Sequence, residues 1–248
     1  MQRAWRLVAL GVAAYLLILI TTFPASRVTA LLEQRLSDLS ILAVSGSVFS
    51  GQASRVIWQD LDLGTVHWQL RPFALLLGRI EYLLELMHPA NHGQLTAAVT
   101  LTGRVYAQDL ELTLLPDRLL NHYSPVEIIT SGELLLNFEE IDVVDVFSAA
   151  TTGRLQWRDA AIIEPVNMVL GQLEVGVHGN TDALVGEVIQ GGELGASGEA
   201  SLSADNSYRL SLLLQPQSGV SRETLNMLEQ AARLQPSGDY LIEQSGQF

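Results

Sequence analysis

No cysteine occurs in the sequence, so neither a disulfide framework nor a thiolate metal site can form, and the redox compartment stays undecided. Lysine is missing too: all 14 basic residues are arginine, a bias that nothing in the physics of folding requires. Aromatic residues make up 6% of the chain and form no girdle pattern. That speaks against an outer-membrane barrel with a cleaved signal, which strand-like alternation and the terminal Phe248 would otherwise suit. Catalytic signatures are also absent: there is no Gly-x-Ser-x-Gly elbow, no phosphate-binding Walker loop and no His-Glu-x-x-His. The chain is therefore read as a non-enzyme, with no catalytic, metal or cofactor-binding residue.

Positive charge is scarce in the second half. Residues 1–26 carry Arg3 and Arg6 and no acid, residues 27–120 hold seven arginines against nine acids, and residues 121–248 hold five against eighteen. Everything after residue 26 is thus acidic by fifteen charges, which argues against nucleic acid and anionic headgroups as partners of the body. The densest acids, Glu139, Glu140, Asp142 and Asp145, lack the spaced loop with a central glycine that calcium needs, and read as a solvated face. His88 and His92 have a helical metal-ligand spacing, but Pro89, Asn91 and Gly93 make the segment a turn between strands. Gly192, Gly195 and Gly198 lie between strands with no helix following, so they mark turns and not a nucleotide loop.

One long stretch has no charge at all. Residues 7–26 are uncharged, and about twenty helical residues span the ~30 Å of a bilayer core. Leu7, Leu10, Tyr15, Leu17, Ile20 and Phe23 are its anchor residues. The two arginines before it predict a cytoplasmic N-terminus and an exported body. A signal peptide cleaved at Val28-Thr29-Ala30 is the competing reading, but the apolar run from Leu7 to Phe23 is longer than the ~7–15 residues of a signal core. The expected organisation is a cytoplasmic stub and anchor at 1–26, a linker at 27–40 and a β-rich exported domain at 41–248.

From Ile41 on, the dominant hydrophobic period is two. Ile80-Tyr82-Leu84-Leu86, Leu95-Ala97-Val99-Leu101, Leu134-Leu136-Phe138, Leu155-Trp157, Leu173-Val175-Val177 and Tyr208-Leu210-Leu212-Leu214 each alternate with polar or small residues. This is the signal of half-buried antiparallel strands, and glycines punctuate it at short intervals. Helical signals are few. Pro72–Leu77 predicts a turn and a half, Asp142–Ala150 a short helix, and Ser221–Leu234 a longer one with Ser221 as N-cap and Pro236 beyond its end. The predicted class is mainly β: an anchor helix, then a meander-like, curved antiparallel sheet with few short helices.

The most distinctive stretch is Ser45–Glu81, SGSVFSGQASRVIWQDLDLGTVHWQLRPFALLLGRIE. It places Ser45, Gly46, Ser50 and Gly51 at a turn, then Trp68 and Leu70 on one face of a strand that breaks at Arg71-Pro72, with Gly78 and Arg79 ending the break. Trp58, Trp68 and Trp157 suit either core packing or an apolar groove. Arg71 is expected to satisfy carbonyls at the strand break.

This stretch resembles the type II secretion system protein N family (general secretion pathway protein N). So do Phe23-Pro24-Ala25-Ser26-Arg27-Val28 at the end of the anchor, the segment Thr152–Ala160 with Gly153 and Trp157, and the later Gly191–Leu194, Ser197–Leu202 and Tyr208–Ser211. Phe49 departs from the pattern, where tryptophan is expected, and the C-terminus is weakly marked by glycine. The resemblance implies a single-pass inner-membrane protein with a periplasmic β-rich domain, an accessory part of the machine that exports folded proteins across the outer membrane. Its implied partners are other type II secretion proteins and, through the anchor, the inner membrane. The repeated amphipathic strands are also similar to AsmA-like proteins, which implies an alternative: a β-groove module that holds lipid or another apolar ligand. Apolar residues left accessible on one sheet face would favour that alternative, and a closed core would oppose it.

Overall fold

The computed structural model describes residues 23–247 apart from 36–37, 59–60, 90, 124–126 and 165–166. The anchor residues Leu7, Leu10, Tyr15, Leu17 and Ile20 lie outside the described residues. Among those that are described, no helix is long and apolar enough to cross a membrane. Antiparallel strands dominate, as the two-residue period predicts, and they fall into two compact units, Met1–Pro89 and Ala90–Phe248.

The first unit begins with helix α1 (Ala25–Arg35), which occupies the first part of the 27–40 interval. Four antiparallel strands follow in sequence order: β1 (Leu39–Gly46), β2 (Ser50–Trp58), β3 (Leu61–Leu70) and β4 (Arg79–Met87). The β3–β4 connection is a 3-10 turn over Pro72–Leu77, the length the sequence predicts. Proline fixes the first φ of that turn, and Gly78 closes it in the left-handed region at φ 73°, which only glycine enters at no steric cost. Helix α1 lies against β1, and Glu33 Oε1 accepts from the backbone N–H of Ile41 at 2.6 Å. A carboxylate of α1 thus occupies a donor on the edge strand that would otherwise be open to pairing.

The second unit contains β5 (His92–Thr100), β6 (Val105–Leu114), β7 (Ile129–Asp142), β8 (Thr152–Glu164), β9 (Met168–Asn180), β10 (Ala183–Gly191), β11 (Ser197–Ser203) and β12 (Ser207–Leu214), each antiparallel to the next. Then β14 (Tyr240–Gln247) pairs with β12, and the two-residue β13 (Arg233–Leu234) pairs with β14 on its other side. Helix α2 (Pro116–Tyr123) connects β6 to β7, and α3 (Arg222–Ala231) precedes β13. The buried cluster of this unit joins Ala160, Leu170, Leu194, Leu214, Leu228 and Tyr240, with Trp157 packed against it. Leu228 of α3 belongs to that cluster, so α3 closes one end of the sheet face. Ser221 caps α3 as predicted, its Oγ accepting from Thr224 N–H at 3.1 Å.

Three local expectations are corrected. Asp142–Ala150 is the last residue of β7 followed by a loop, not a helix, because the Asp142 carboxylate accepts from the N–H groups of Val144 and Asp145 and starts a turn. The helix expected over Ser221–Leu234 stops at Ala231, where Arg233 and Leu234 pair with β14 instead. In β5 the deeply buried residues are Thr96 and Ala98, whereas Val99 is exposed. A register shift between Gln94 and Thr96 interrupts the β5–β6 ladder there, and burial follows the small residues rather than the aliphatic ones.

Candidate functional site

The predicted motif residues of the first unit converge on one end of its sheet. Gly46 pairs with Gly51 across the β1–β2 hairpin, and Gly51 pairs in turn with Trp68 on β3. Gly46 has φ 91°, and a Cβ on it would stand 2.6 Å from Gly51 Cα. A Cβ on Gly51 would meet the Trp68 ring at 2.5 Å. The indole therefore lies against the bare Gly51 backbone, and its Nε1–H donates to Ser47 O at 2.9 Å. This spacing of glycines and tryptophan needs no chemistry to explain it: a bulky ring requires a bare backbone beneath it.

Ser45 and Ser50 are exposed and hold register positions opposite Gln52 and Gln69. The serine that ties the turn is Ser47, whose Oγ accepts from the N–H of Phe49 and Ser50 at 3.2 and 3.3 Å. Leu70 is buried, and its N–H donates to Phe49 O at 2.7 Å. Arg71 does not satisfy carbonyls as expected. Its backbone N–H donates to Glu81 O at 2.8 Å, while its side chain is exposed and makes no hydrogen bond or ion pair among the described residues. Arg79 pairs with the buried Glu81 at 2.6 Å.

Beside this cluster lies an apolar groove of about 310 Å³. Ala25, Val28 and Thr29 of α1 form one wall, and Leu39, Ile41, Ala53, Val56, Val66, Trp68, Tyr82 and Leu84 of the four strands form the other, with Val48 at the turn. The alternation on β3 and β4 puts Val66, Trp68, Tyr82 and Leu84 on the same face, as their cross-strand register requires. Ala25, Ala53 and Val56 are buried, but the other nine lining residues are only half-buried. A closed core would bury them all. Burial pushes the Tyr82 hydroxyl pKa up, which fits a wall with few polar neighbours. The α1 side of the groove was not foreseen; its signal was present in Ala25, Val28 and Thr29, three to four residues apart on one helical face.

The second unit repeats the motif's device. Gly153 pairs with Phe138, whose ring would lie 2.3 Å from an added Cβ, and Trp157 Nε1–H donates to Ser131 O at 2.9 Å. These residues are not brought to the groove; they hold long strands in register. Trp58 is exposed near the end of β2 and lines no part of the groove. A second hollow of about 470 Å³, over β6 to β10, is lined by Asp109, Glu111, Glu139, Arg154, His178 and Glu187 among others. Arg154 is already paired with Glu174 at 3.3 Å. Of the clustered acids, Glu140 and Asp142 both hold Arg104, at 2.6 and 3.0 Å. Among the described residues no three His, Asp or Glu side chains are placed to hold a metal ion.

The model of one protein family, "Type II secretion system (T2SS), protein N", matches residues 37–243, which include nearly every strand described above. The chain belongs to the type II secretion system protein N family. It is similar to two curated proteins named "Type II secretion system protein N". The one from Vibrio cholerae is 25% identical over 220 residues, covering 85% of each chain. The one from Aeromonas hydrophila is 25% identical over 222 residues, covering 87% of each. No solved structure matches significantly.

Proposed function

We propose that the protein is an accessory component of the type II secretion system, held in the inner membrane by Leu7–Phe23 with its N-terminus cytoplasmic and both β units periplasmic. In this reading the groove of the first unit holds an apolar chain of lipid. Membership of the family supports the system, and the observation that carries the finer reading is the half-open, almost wholly apolar groove. Its volume is near the lower end of the ~300–1,000 Å³ of ligand pockets, and its few polar atoms give little orientation, as suits a chain without polar groups. An uncleaved anchor is supported by α1 itself. Cleavage after Ala30 would cut the helix that supplies Ala25, Val28 and Thr29 to the groove. No catalysis and no cofactor belong to this function.

Lipid extraction followed by mass spectrometry of the intact, detergent-purified protein tests the groove. The parent should retain lipid through a detergent exchange, and Val28→Trp, which fills the groove from the α1 side, should lose it. Equal lipid in the two proteins would overturn the reading.

Contact with other secretion-system proteins is the second reading, and one observation favours it. Strand β13 pairs only with Tyr240 and Leu241, so the outer edge of β14 from Ile242 to Gln247 has no strand partner among the described residues. Such an edge suits strand addition from a partner chain.

A further inference from the structure

The 3-10 turn between β3 and β4 presents its apolar side chains to solvent: Phe73 is 81% exposed, Leu76 83% and Leu77 72%. Three large apolar residues on one six-residue turn form a patch of the kind that marks a protein or membrane contact. The turn is also fixed in place. Arg71 N–H donates to Glu81 O at 2.8 Å, Ala74 N–H to Arg71 O at 3.2 Å and Gly78 N–H to Leu75 O at 3.1 Å, and Ala74 is buried beneath it. These bonds and the buried Ala74 keep the three side chains turned outward.

What faces the patch follows from where the chain enters the unit. Phe23 is the last residue of the apolar run Leu7–Phe23, and its carbonyl accepts from Val48 N–H at 3.0 Å, while Pro24 bridges to Ser47. One residue further along that hairpin, Phe49 O accepts from Leu70 N–H at 2.7 Å, and Leu70 leads directly into Arg71 and the turn. The entry point and the apolar turn therefore sit at the same end of the first unit, joined by the β1–β2 hairpin. That end is also exempt from the acidity of the body. Residues 23–32, 45–51 and 69–80 contain no Asp or Glu, and the acid next to them, Glu81, is buried and paired with Arg79, which leaves Arg27 and Arg71 as the exposed charges there.

We propose that the Phe73–Leu77 turn is a second membrane contact, seated in the headgroup and upper acyl region of the bilayer leaflet from which the chain emerges at Phe23. Phe73, Leu76 and Leu77 enter the apolar boundary, and the unpartnered Arg71 guanidinium meets lipid phosphate. Two points of attachment fix the orientation of the first unit on the membrane, which a single helix leaves free to rotate. The inference rests on the anchor reading of Leu7–Phe23.

The absence of cysteine makes the test clean, because each single-cysteine variant carries one label. Full-length Leu76→Cys, Leu17→Cys and Met87→Cys, labelled with an environment-sensitive fluorophore, are reconstituted in phosphatidylethanolamine–phosphatidylglycerol vesicles with and without nitroxide-bearing lipids. Met87, 53% exposed at the end of β4 away from the turn, is the surface reference within the same unit. The expected result is a blue shift and quenching at 17 and 76, and neither at 87. Quenching at 17 without quenching at 76 overturns the inference and leaves the anchor standing. Quenching at neither position overturns both. A blue shift at 76 without lipid quenching means that a second copy covers the turn, and equal quenching at 76 and 87 means unspecific adsorption; each overturns the proposal.

Discussion

The residues that mark this chain most strongly are glycines and serines with steric and turn-forming roles, and their value can be measured one at a time. Gly51 lies under the Trp68 ring, where an added Cβ would sit 2.5 Å from it. Gly51→Ala should therefore destabilise the first unit by about 1–3 kcal/mol through overpacking, read as a shift in the urea midpoint. An unchanged midpoint would show that the indole has somewhere else to go. Asp142 is the corresponding residue of the β7–β8 loop. Backbone N–H groups of Asp145 and Val144 and the Arg104 guanidinium hold its carboxyl below the usual carboxylate range. A carboxyl whose folded pKa is lowered stabilises the fold fully above its unfolded value of about 3.9, and this is lost as pH falls through the folded value. Melting temperature should therefore drop on acidification below about pH 5 more steeply in the parent than in Asp142→Asn. Parallel curves would mean that Asp142 contributes nothing to acid sensitivity.

Elements were legible where period and cap agreed. The run Tyr208 to Leu214 and the motif at Pro72–Leu77 form the strand and the turn their sequences predict, because local signal and tertiary demand coincide there. Helix α3 was visible in Ser221 at its N-cap and in Leu225 and Leu228 on one face, but not the early end at Ala231, which follows from pairing with a strand distant in sequence. Helix α2, with Pro116 at its first position, has only 8 residues between two strong strands, too few to show a period. In β5 the alternation misled, since Thr96 and Ala98 are buried and Val99 is not. The cap of α3 is a fair measure of how much such local signals contribute. Ser221→Ala should cost about 1 kcal/mol and Ser221→Asp little, by chemical denaturation of the intact protein. A cost shared by both variants would assign Ser221 a role other than capping.

At the scale of the whole molecule, the family and the β class were legible because the glycine–tryptophan motifs are local in sequence. The groove was legible only on its strand side. Val66, Trp68, Tyr82 and Leu84 announce one apolar face, but whether that face is closed depends on where α1 lies, and no period carries that information. Topology can be tested directly: a reporter enzyme that is active only after export, fused after residue 40, should be active, and a fusion active only in the cytoplasm would reverse the proposed orientation. The groove itself separates lipid holding from protein contact through two substitutions. Trp68 lines the groove but also covers Gly51 and donates to Ser47 O. Trp68→Glu should unfold the first unit, at a cost of about 3–5 kcal/mol for the lost packing alone. Thr29 is half-buried on the α1 wall, and its hydroxyl donates only to Ser26 O one turn back. Thr29→Glu places a charge at the mouth of the groove where water can still reach it, so it should melt like the parent and lose co-purifying lipid. If Thr29→Glu keeps its lipid, the groove is not where lipid binds. The free edge of β14 then becomes the feature through which the protein serves the secretion system.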